Sequence, residues 1–397
     1  MDKSEQNWLL KGFGFLSGIL ILFGCQNSNE FKLQSEINLI ASKFVPDQRI
    51  GICDIKLKLT GKTIILRGET TDPAAKIAII KALDNQNKIL IDSIIILPDT
   101  LKTKDYMGLV TLSVINLRKE PDHASEMVSQ ARLGTPVVIL KEHHSWLLIQ
   151  TPDNYISWTE KSSIVPEDRH EMGIWKNADR VIYLDNTGWL YDTTTVNSGV
   201  TGDLVAGSIM EKIREFNGYV NVKLPDGRKG FILKQKVMDF NVWKSTIKCT
   251  EDNVCKVAAT FMGLPYLWGG SSTKGVDCSG FVQSVYFLNG LILQRDASLQ
   301  ALHGSVVDIS AGYNNLKSGD LLFFGSKEKG KNHVTHVAIY LGNGDYINSS
   351  GRVMINSLDS TKGDYVSYRM ISLLSAKRVI GTDGDPGIVQ VSKHPWY

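Results

Sequence analysis

The sequence lacks an excess of charge of either sign, and this absence excludes one large class of function. Its 397 residues carry 44 Lys and Arg against 41 Asp and Glu, a formal net charge of +3. Proteins that bind nucleic acids neutralise phosphates with a concentrated positive surface. We therefore expect no nucleic-acid partner.

Cysteine is also scarce, and common metal-binding spacings are missing. Five cysteines are too few for a disulfide framework in so long a chain, and neither a CxxC pair nor an HExxH motif occurs. Cys249 and Cys255 remain a weak candidate pair, whereas Cys53 has the pattern of a small buried residue in a strand. We expect no metal site and no cofactor.

The apolar run near the N-terminus is shorter than the roughly 20 residues that span a bilayer. It extends from Gly12 to Phe23, and a small residue then precedes Cys25 and a polar stretch. This layout is typical of a lipoprotein signal peptide over residues 1–25, with Cys25 as the lipidated residue. The alternative is an uncleaved membrane anchor. In both cases we expect the rest of the chain at the periplasmic or extracellular face of the cell envelope.

The remainder has the composition of a folded protein, with 43% apolar and 21% charged residues. It is too long for one hydrophobic core, and two to four domains are expected. Residues 30–100 alternate between helical and strand periodicity in the order helix, strand, strand, helix, strand, which predicts a small α/β domain.

Two segments with short alternating apolar runs come next, separated by Pro, Gly, Asp and Asn turns. Residues 106–168 and 178–240 share this rhythm, so each predicts a small β-barrel. Residues 246–382 change to a helix (253–262), a Gly-rich loop, a second helix (278–288) and then strands. Helices before an antiparallel sheet predict an α+β domain.

One cysteine stands where chemistry is favoured. Cys278 follows Asp277 at the start of an apolar helix, where free backbone N–H groups lower a thiol pKa and can receive an oxyanion. His336 opens an apolar strand and can serve as base, and Asn348 on the next strand can orient its imidazole. The alternative is that Cys278 is simply a buried structural residue.

The motifs around these residues resemble a known family. Five ordered segments match the successive motifs of the NlpC-type cysteine peptidases: Leu264-Pro-Tyr-Leu-Trp-Gly-Gly270, Gly275-Val-Asp-Cys-Ser-Gly-Phe281, Arg295-Asp-Ala-Ser-Leu-Gln300, Ser318-Gly-Asp-Leu-Leu-Phe-Phe324 and His336-Val-Ala-Ile-Tyr-Leu-Gly342. The segment Asn116-Leu-Arg-Lys-Glu-Pro121, together with Leu133-Gly-Thr-Pro-Val-Val138 and Trp146, resembles the bacterial SH3-like domain. The second barrel matches that domain in pattern only. Together these features are similar to the envelope γ-D-glutamyl-L-diamino acid endopeptidases.

The resemblance implies a papain-like catalytic domain behind two SH3-like barrels and the small α/β domain. Carried over by motif, the catalytic positions are Cys278, His336 and Asn348, with Asn348 where relatives commonly carry histidine. The substrate cleft is implied to be lined by Tyr266, Asp277, Ser279 and Ser298. Glu126 and Tyr155 match the pair that holds the free amine of L-Ala.

Structural roles are open for several of these residues. Asp277 is equally suited to pair with a substrate amine or to cap the helix. Trp268 is expected in the core, and Arg295 and Asp296 are expected to form an ion pair. Tyr266 is suited either to bind substrate or to assist the oxyanion.

The implied activity is hydrolysis, through an acyl-enzyme, of the γ-D-Glu to diamino-acid bond in murein peptides with a free N-terminal L-Ala. The murein peptide is the expected partner, together with a membrane through the lipid anchor, and we expect a monomer. A wall-binding lipoprotein with an inactive catalytic domain, and an amidase or acyltransferase on the same fold, are the alternatives.

Overall fold

The computed structural model describes residues 20–84, 88–99, 106–195, 198–382 and 384–397, with side chains from residue 28 onward. Residues 1–19 of the predicted signal peptide and the Cys25 side chain lie outside this description. Two compact units are present, divided between Leu97 and Pro98. Over the described ranges, no helix is both long enough and apolar enough to cross a membrane.

The N-terminal unit combines two helices with a three-stranded sheet. Strands β1 and β2 are antiparallel, and β3 runs parallel to β2. Along β1 the apolar residues are buried and the alternating polar ones exposed, because only one face of the sheet packs on the helices. The elements are α1 (Leu20–Phe44), β1 (Cys53–Thr60), β2 (Thr63–Thr70), α2 (Pro73–Asp84) and β3 (Ile89–Ile96), in the predicted order.

The second unit begins with a seven-stranded antiparallel sheet, here called the first β module, in the order β10-β4-β7-β8-β9-β5-β6. Its core is built from alternate aliphatic residues of these short strands, including Val110, Leu117 and Ile149. The strands are β4 (Met107–Val110), β5 (Val114–Arg118), β6 (Met127–Arg132), β7 (Pro136–His143), β8 (Trp146–Gln150), β9 (Ile156–Glu160) and β10 (Ile164–Glu167).

The second β module is another seven-stranded sheet, with the order β13-β12-β16-β15-β14-β11-β17. Read from its other end, this order repeats that of the first β module strand for strand. The module contains β11 (Arg180–Tyr183), β12 (Thr187–Tyr191), β13 (Val200–Val205), β14 (Ile209–Phe216), β15 (Tyr219–Lys223), β16 (Lys229–Leu233) and β17 (Val237–Asp239), and lies between helices α3 (Arg169–Asn177) and α4 (Phe240–Thr246).

The C-terminal part places helices ahead of a six-stranded antiparallel sheet, ordered β21-β26-β22-β23-β24-β25. The first group of elements is α5 (Glu251–Thr260), β18 (Ser271–Ser272), β19 (Gly275–Val276), α6 (Cys278–Leu288), β20 (Leu291–Leu293) and α7 (Ala297–Gln300). The second is β21 (Ser305–Val307), β22 (Leu321–Glu328), β23 (Lys331–Gly342), β24 (Asp345–Ser350), β25 (Arg352–Ser357), α8 (Ser367–Ser372), β26 (Leu373–Arg378) and β27 (Ile388–Gln390).

Helix α6 is the centre of this part and is buried on nearly every side. Phe281 meets Phe261 near helix α5, Phe287 meets Trp243 of helix α4, and the same core continues into Val337 and Ile339 of the sheet. A helix that is apolar all round is expected to be enclosed in this way. Its first residue is therefore held in a rigid frame.

Two local predictions need correction. Helix α5 runs from Glu251 to Thr260, because the Thr250 side chain caps it at the Asn253 N–H. His336 does not open its strand, since β23 already begins at Lys331 and continues to pair with β22 beyond a register shift. The domain boundaries drawn within the second unit stay predictions, because that unit is compact as a whole.

Candidate active site

The predicted nucleophile Cys278 is the first residue of helix α6, as the sequence predicts. The Asp277 carboxylate caps the helix and accepts the Gly280 N–H at 2.7 Å. Glycine is required at position 280, since a Cβ there would lie 2.0 Å from the Gly270 carbonyl oxygen. This close approach locks the Gly-rich loop against the start of the helix.

The thiol of Cys278 is buried, with a residue exposure of 7%. Burial, and next the negative charge of Asp277, raise its pKa to about 11. Hydrogen bonds from the backbone N–H groups of Val337 and Ser279, and the charge of Arg295, act in the opposite direction but are outweighed. The expectation of a lowered pKa is thus wrong for the substrate-free chain, in which the thiol is protonated at neutral pH.

The strand that carries His336 reaches this thiol, because the backbone N–H of the next residue, Val337, bonds the sulfur. The imidazole of His336 is also buried, and burial followed by the charge of Arg369 lowers its pKa to about 3. The hydrogen bond with Asn348 and the charge of Asp277 oppose this shift. The ring is therefore neutral at neutral pH and can accept a proton.

Asn348 hydrogen-bonds the imidazole, with its Oδ1 3.0 Å from Nε2 of His336. Its Nδ2 donates to Oδ1 of Asn356 at 2.9 Å and to the Met354 carbonyl at 3.3 Å. This arrangement fixes the amide orientation, because the flipped amide would point its oxygen at two acceptors. Nε2 of His336 therefore carries the hydrogen, and the lone pair lies on Nδ1.

Asn356 completes this hydrogen-bond chain, and reasoning from the sequence misses it. It lies on β25, buried, and its Nδ2 donates to the Asp364 carbonyl at 3.4 Å. Asn356 comes close to Asn348 only because strands β24 and β25 pair across their hairpin. No local pattern around Asn356 indicates this role.

Asp277 has a second partner, Arg295, which the sequence pattern predicts to pair with Asp296. The guanidinium of Arg295 binds both carboxylate oxygens, Nη2 to Oδ2 at 2.7 Å and Nη1 to Oδ1 at 3.1 Å, and also binds Ser279 Oγ at 2.9 Å. The ion pair that the structure shows for Arg295 is with Asp277, and the charge of the neighbouring Asp296 also acts on the guanidinium. The capping role of Asp277 is seen in the structure, whereas its contact with a substrate amine stays a prediction.

The first β module approaches the site from this same side. Trp268 donates its indole N–H to Glu126 Oε1 at 2.9 Å, and the buried Tyr155 donates its hydroxyl to Asp296 Oδ2 at 3.3 Å. Ser129 also accepts a hydrogen bond from Nε of Arg295 at 3.0 Å. The structure thus places both predicted amine-binding residues at the junction of this module with the C-terminal part.

Trp268 is not the core residue that the sequence pattern predicts, because 62% of it is exposed. Glu126 is exposed as well. The residue after Trp268, Gly269, donates its N–H to Asp277, so this tryptophan and carboxylate face solvent next to the start of helix α6 and form a surface that a ligand can cover.

The remaining predicted cleft residues surround the helix start. Tyr266 is half-buried, and burial, followed by the charges of Cys278 and Asp277, raises its pKa to about 12, so its hydroxyl remains a donor. Ser279 is buried and donates to Asp277 Oδ1 at 3.3 Å. Ser298 is half-buried on the short helix α7.

Other cysteines and acidic residues form no competing centre in the part of the chain that the structure describes. Cys53, Cys249, Cys255 and Cys278 are all free thiols, so the weak candidate pair is not formed. Within the same part, no group of three or more His, Cys, Asp or Glu side chains is arranged to hold a metal ion.

Comparison with known proteins agrees with this geometry. Residues 263–374 match the NlpC/P60 family, and residues 117–164 match the bacterial dipeptidyl-peptidase Sh3 domain. The chain is 28% identical to dipeptidyl-peptidase 6 of Lysinibacillus sphaericus, over 64% of this chain and 92% of the relative. It is also 28% identical to γ-D-glutamyl-L-lysine dipeptidyl-peptidase of Bacillus subtilis strain 168, over 66% of this chain and 82% of the relative.

A solved structure of an NlpC/P60 family protein from Bacillus cereus ATCC 10987 has the same fold. It is 23% identical with a TM-score of 0.59, and the match covers 69% of this chain and 99% of that one. The matched family region contains the start of helix α6 and the strands of His336 and Asn348. Residues 263–374 are therefore an NlpC/P60 cysteine peptidase domain, and residues 117–164 ahead of it are a bacterial SH3 domain.

Proposed function

We propose that this enzyme hydrolyses the bond between γ-D-glutamate and a diamino acid in murein peptides, with Cys278 as nucleophile and His336 as base. The observation that carries the proposal is the hydrogen bond between Asn348 and His336, on a strand whose backbone bonds the thiol at a helix start. The relatives named as dipeptidyl-peptidases, one of them for γ-D-glutamyl-L-lysine, support this substrate.

In the first step, Nδ1 of His336 takes the thiol proton while the sulfur attacks the γ-carbonyl carbon. Both groups start neutral, since the pKa of the thiol is about 11 and that of the imidazole about 3. Proton transfer therefore accompanies attack. We assign the backbone N–H at the helix start and the Tyr266 hydroxyl to the developing oxyanion.

In the second step, the imidazolium of His336 gives its proton to the departing amine as the carbon–nitrogen bond breaks. Water, deprotonated by the same imidazole, then hydrolyses the thioester and restores the thiol. Asn348 keeps the imidazole in one orientation through both steps, because its carbonyl accepts the Nε2 hydrogen throughout.

Replacing Asn348 with alanine should lower kcat by roughly ten- to a hundredfold, because a buried imidazole N–H would lose its acceptor at about 1–3 kcal/mol. The pKa of His336 should fall further, since the bond to Asn348 raises it. Rates on a murein tripeptide across pH test this, and Asn348→His should retain more activity than Asn348→Ala. Asn332→Ala, on an exposed residue of the strand that carries His336, is the control. Identical pH profiles for Asn348→Ala and wild type would remove Asn348 from the mechanism.

We also propose that Glu126 and Tyr155 hold the free N-terminal amine of the substrate. Glu126 is open to solvent in the free chain and not buried, so substrate binding itself must cover it. An ammonium group is then favoured over an acylated nitrogen by about 1–3 kcal/mol, roughly a ten- to hundredfold preference. Stem peptides still joined to glycan lack that amine and should be spared.

The comparison is L-Ala-γ-D-Glu-L-Lys with and without an N-acetyl cap, with release of lysine measured by mass spectrometry. Glu126→Gln keeps an acceptor for the Trp268 indole but loses the charge, and should reduce the preference for the free peptide about tenfold. Glu120→Gln, on an exposed residue of the same module, should leave that preference intact. Equal rates on capped and free peptide, or products other than L-Ala-γ-D-Glu and lysine, would contradict the assignment.

The proposed place of action is the cell envelope, because the substrate is a fragment of the wall. We propose that Cys25 carries the lipid that holds the chain at a membrane. Metabolic labelling with palmitate, compared between the wild-type chain and Cys25→Ser, tests this proposal.

A further inference from the structure

A cationic side chain lies near the imidazole of His336. Arg369 belongs to helix α8 and is half-buried. Its guanidinium lies 5.7 Å from the ring centroid of Phe324, and the Phe324 ring lies 5.7 Å from that of His336. Its charge is the largest influence after burial on the pKa of His336.

This arginine has little to bind within the protein. Its Nη2 donates to Ser350 Oγ at a long 3.4 Å, and the guanidinium also lies 5.0 Å from the Tyr368 ring centroid. Across the described ranges, no Asp or Glu side chain forms a salt bridge with it. The guanidinium is half-buried, lies against aromatic rings and has no acidic partner there. Its planar edge of N–H donors is therefore available to bind a carboxylate.

The Asp277 side of the site is distinguished by its contacts with the first β module. Glu126, Ser129 and Tyr155 of the first β module all reach the Asp277 side, through Trp268 and the segment after helix α6. On the proposed function, the L-Ala-γ-D-Glu part of the substrate lies there. The residue released must then lie on the other side of the thiol.

Proton transfer restricts the position of that residue further. His336 must stand within hydrogen-bond distance of the departing nitrogen to protonate it. That nitrogen and the α-carboxylate of the diamino acid are bonded to the same carbon atom. The carboxylate is therefore carried to the neighbourhood of His336, where Arg369 lies. The α-carboxylate of D-glutamate, in contrast, belongs to the acyl side.

We propose that Arg369 is a specificity residue that binds the α-carboxylate of the diamino acid on the leaving-group side. This inference rests on the proposed function and specifies where the substrate ends. A tripeptide offers a free carboxylate at this position, whereas a longer stem peptide offers an amide. The enzyme should prefer peptides that end at the diamino acid.

The test uses three peptides: L-Ala-γ-D-Glu-L-Lys, its C-terminal amide, and the acid in which D-isoglutamine replaces D-glutamate. Wild type should cleave the acid about tenfold better in kcat/KM than the C-terminal amide, as one charge-assisted bidentate contact allows. In Arg369→Gln this ratio should approach one, and Arg369→Lys should lie between. A change in helix packing alone would affect both peptides equally and leave the ratio unchanged.

Arg352→Gln is the matched control, because it removes an exposed arginine from the neighbouring hairpin and should retain the tenfold ratio. Equal rates of the wild type on acid and amide would overturn the role of Arg369 while leaving the proposed function standing. The role of Arg369 would also be overturned if Arg369→Gln kept the ratio between acid and C-terminal amide but lost a wild-type preference for the D-glutamate peptide over the D-isoglutamine peptide. Failure of the wild type to cleave any of the three would overturn both.

Discussion

Replacing Cys278 with alanine is expected to lower the rate of peptide hydrolysis by at least about 10⁴-fold, because in the proposed mechanism its thiol forms the bond that carries the acyl group. The fold should persist. The side chain is small and buried at the start of a helix whose other core contacts remain, so removing its sulfur costs about 1 kcal/mol. Rates of lysine release from L-Ala-γ-D-Glu-L-Lys, together with thermal unfolding of the same samples, measure both effects.

Cys255→Ala is the matched control, since that thiol is also free and lies on helix α5. It should remain active. Cys278→Ser, which keeps a hydroxyl at nearly the same volume, should be as inactive as the alanine variant, because a serine hydroxyl is a far weaker nucleophile than a thiolate. Turnover near the wild-type rate in purified Cys278→Ala would remove the thiol from the reaction.

The start of helix α6 is predictable because its signals are local. An aspartate that can cap, followed by a long apolar run, predicts a helix whose first residue is Cys278, and the structure begins the helix there. The short alternating apolar runs of the two β modules are predictable in the same way, and the structure forms from them two sheets with the same strand order. Periodicity and caps depend on neighbours in sequence.

The environment of the thiol is not predictable in the same way. A helix terminus alone favours a lowered pKa, but burial of Cys278 depends on helices and strands far away in the chain. The prediction for Trp268 is wrong for a related reason. Its indole is exposed and hydrogen-bonds Glu126 of the first β module, a residue 142 positions away in sequence.

Partners in long-range networks are the least predictable part. Proximity in sequence favours pairing of Arg295 with Asp296, although the fold turns the guanidinium inward to Asp277. Asn356 and Arg369 carry no motif, and each acquires a role only when its strand or helix is placed beside His336 or Asn348. Resemblance to a family predicts the roles of residues within its motifs. Residues that support them from outside the motifs can be identified only in the structure.

The buried pair of Arg295 and Asp277 leads to the largest expected effect on stability. Side-chain exposures are 1% for Arg295 and 11% for Asp277. Burial lowers the pKa of Arg295, but the charge and hydrogen bonds of Asp277 outweigh it and raise that pKa overall. The same guanidinium bonds Ser129 and Ser279, so it joins the first β module to the start of helix α6.

Arg295→Met should therefore destabilise the second unit by about 3–5 kcal/mol, because it leaves the buried Asp277 carboxylate without its counter-charge. Activity should fall as well, since the helix start and its thiol are positioned by that carboxylate. Urea denaturation followed by tryptophan fluorescence, with the midpoint compared at equal slope, measures the loss.

Two further variants separate the ion pair from simple loss of volume. Lys256→Met breaks an exposed pair with Asp252 on helix α5, and its effect should be far smaller because surface pairs contribute little. Adding Asp277→Asn to Arg295→Met should recover part of the lost stability, since the amide removes the uncompensated charge and can still accept the Gly280 N–H. If the double variant is less stable than Arg295→Met alone, the stability does not depend on charge pairing, and Arg295 acts through its packing and its bonds to the two serines.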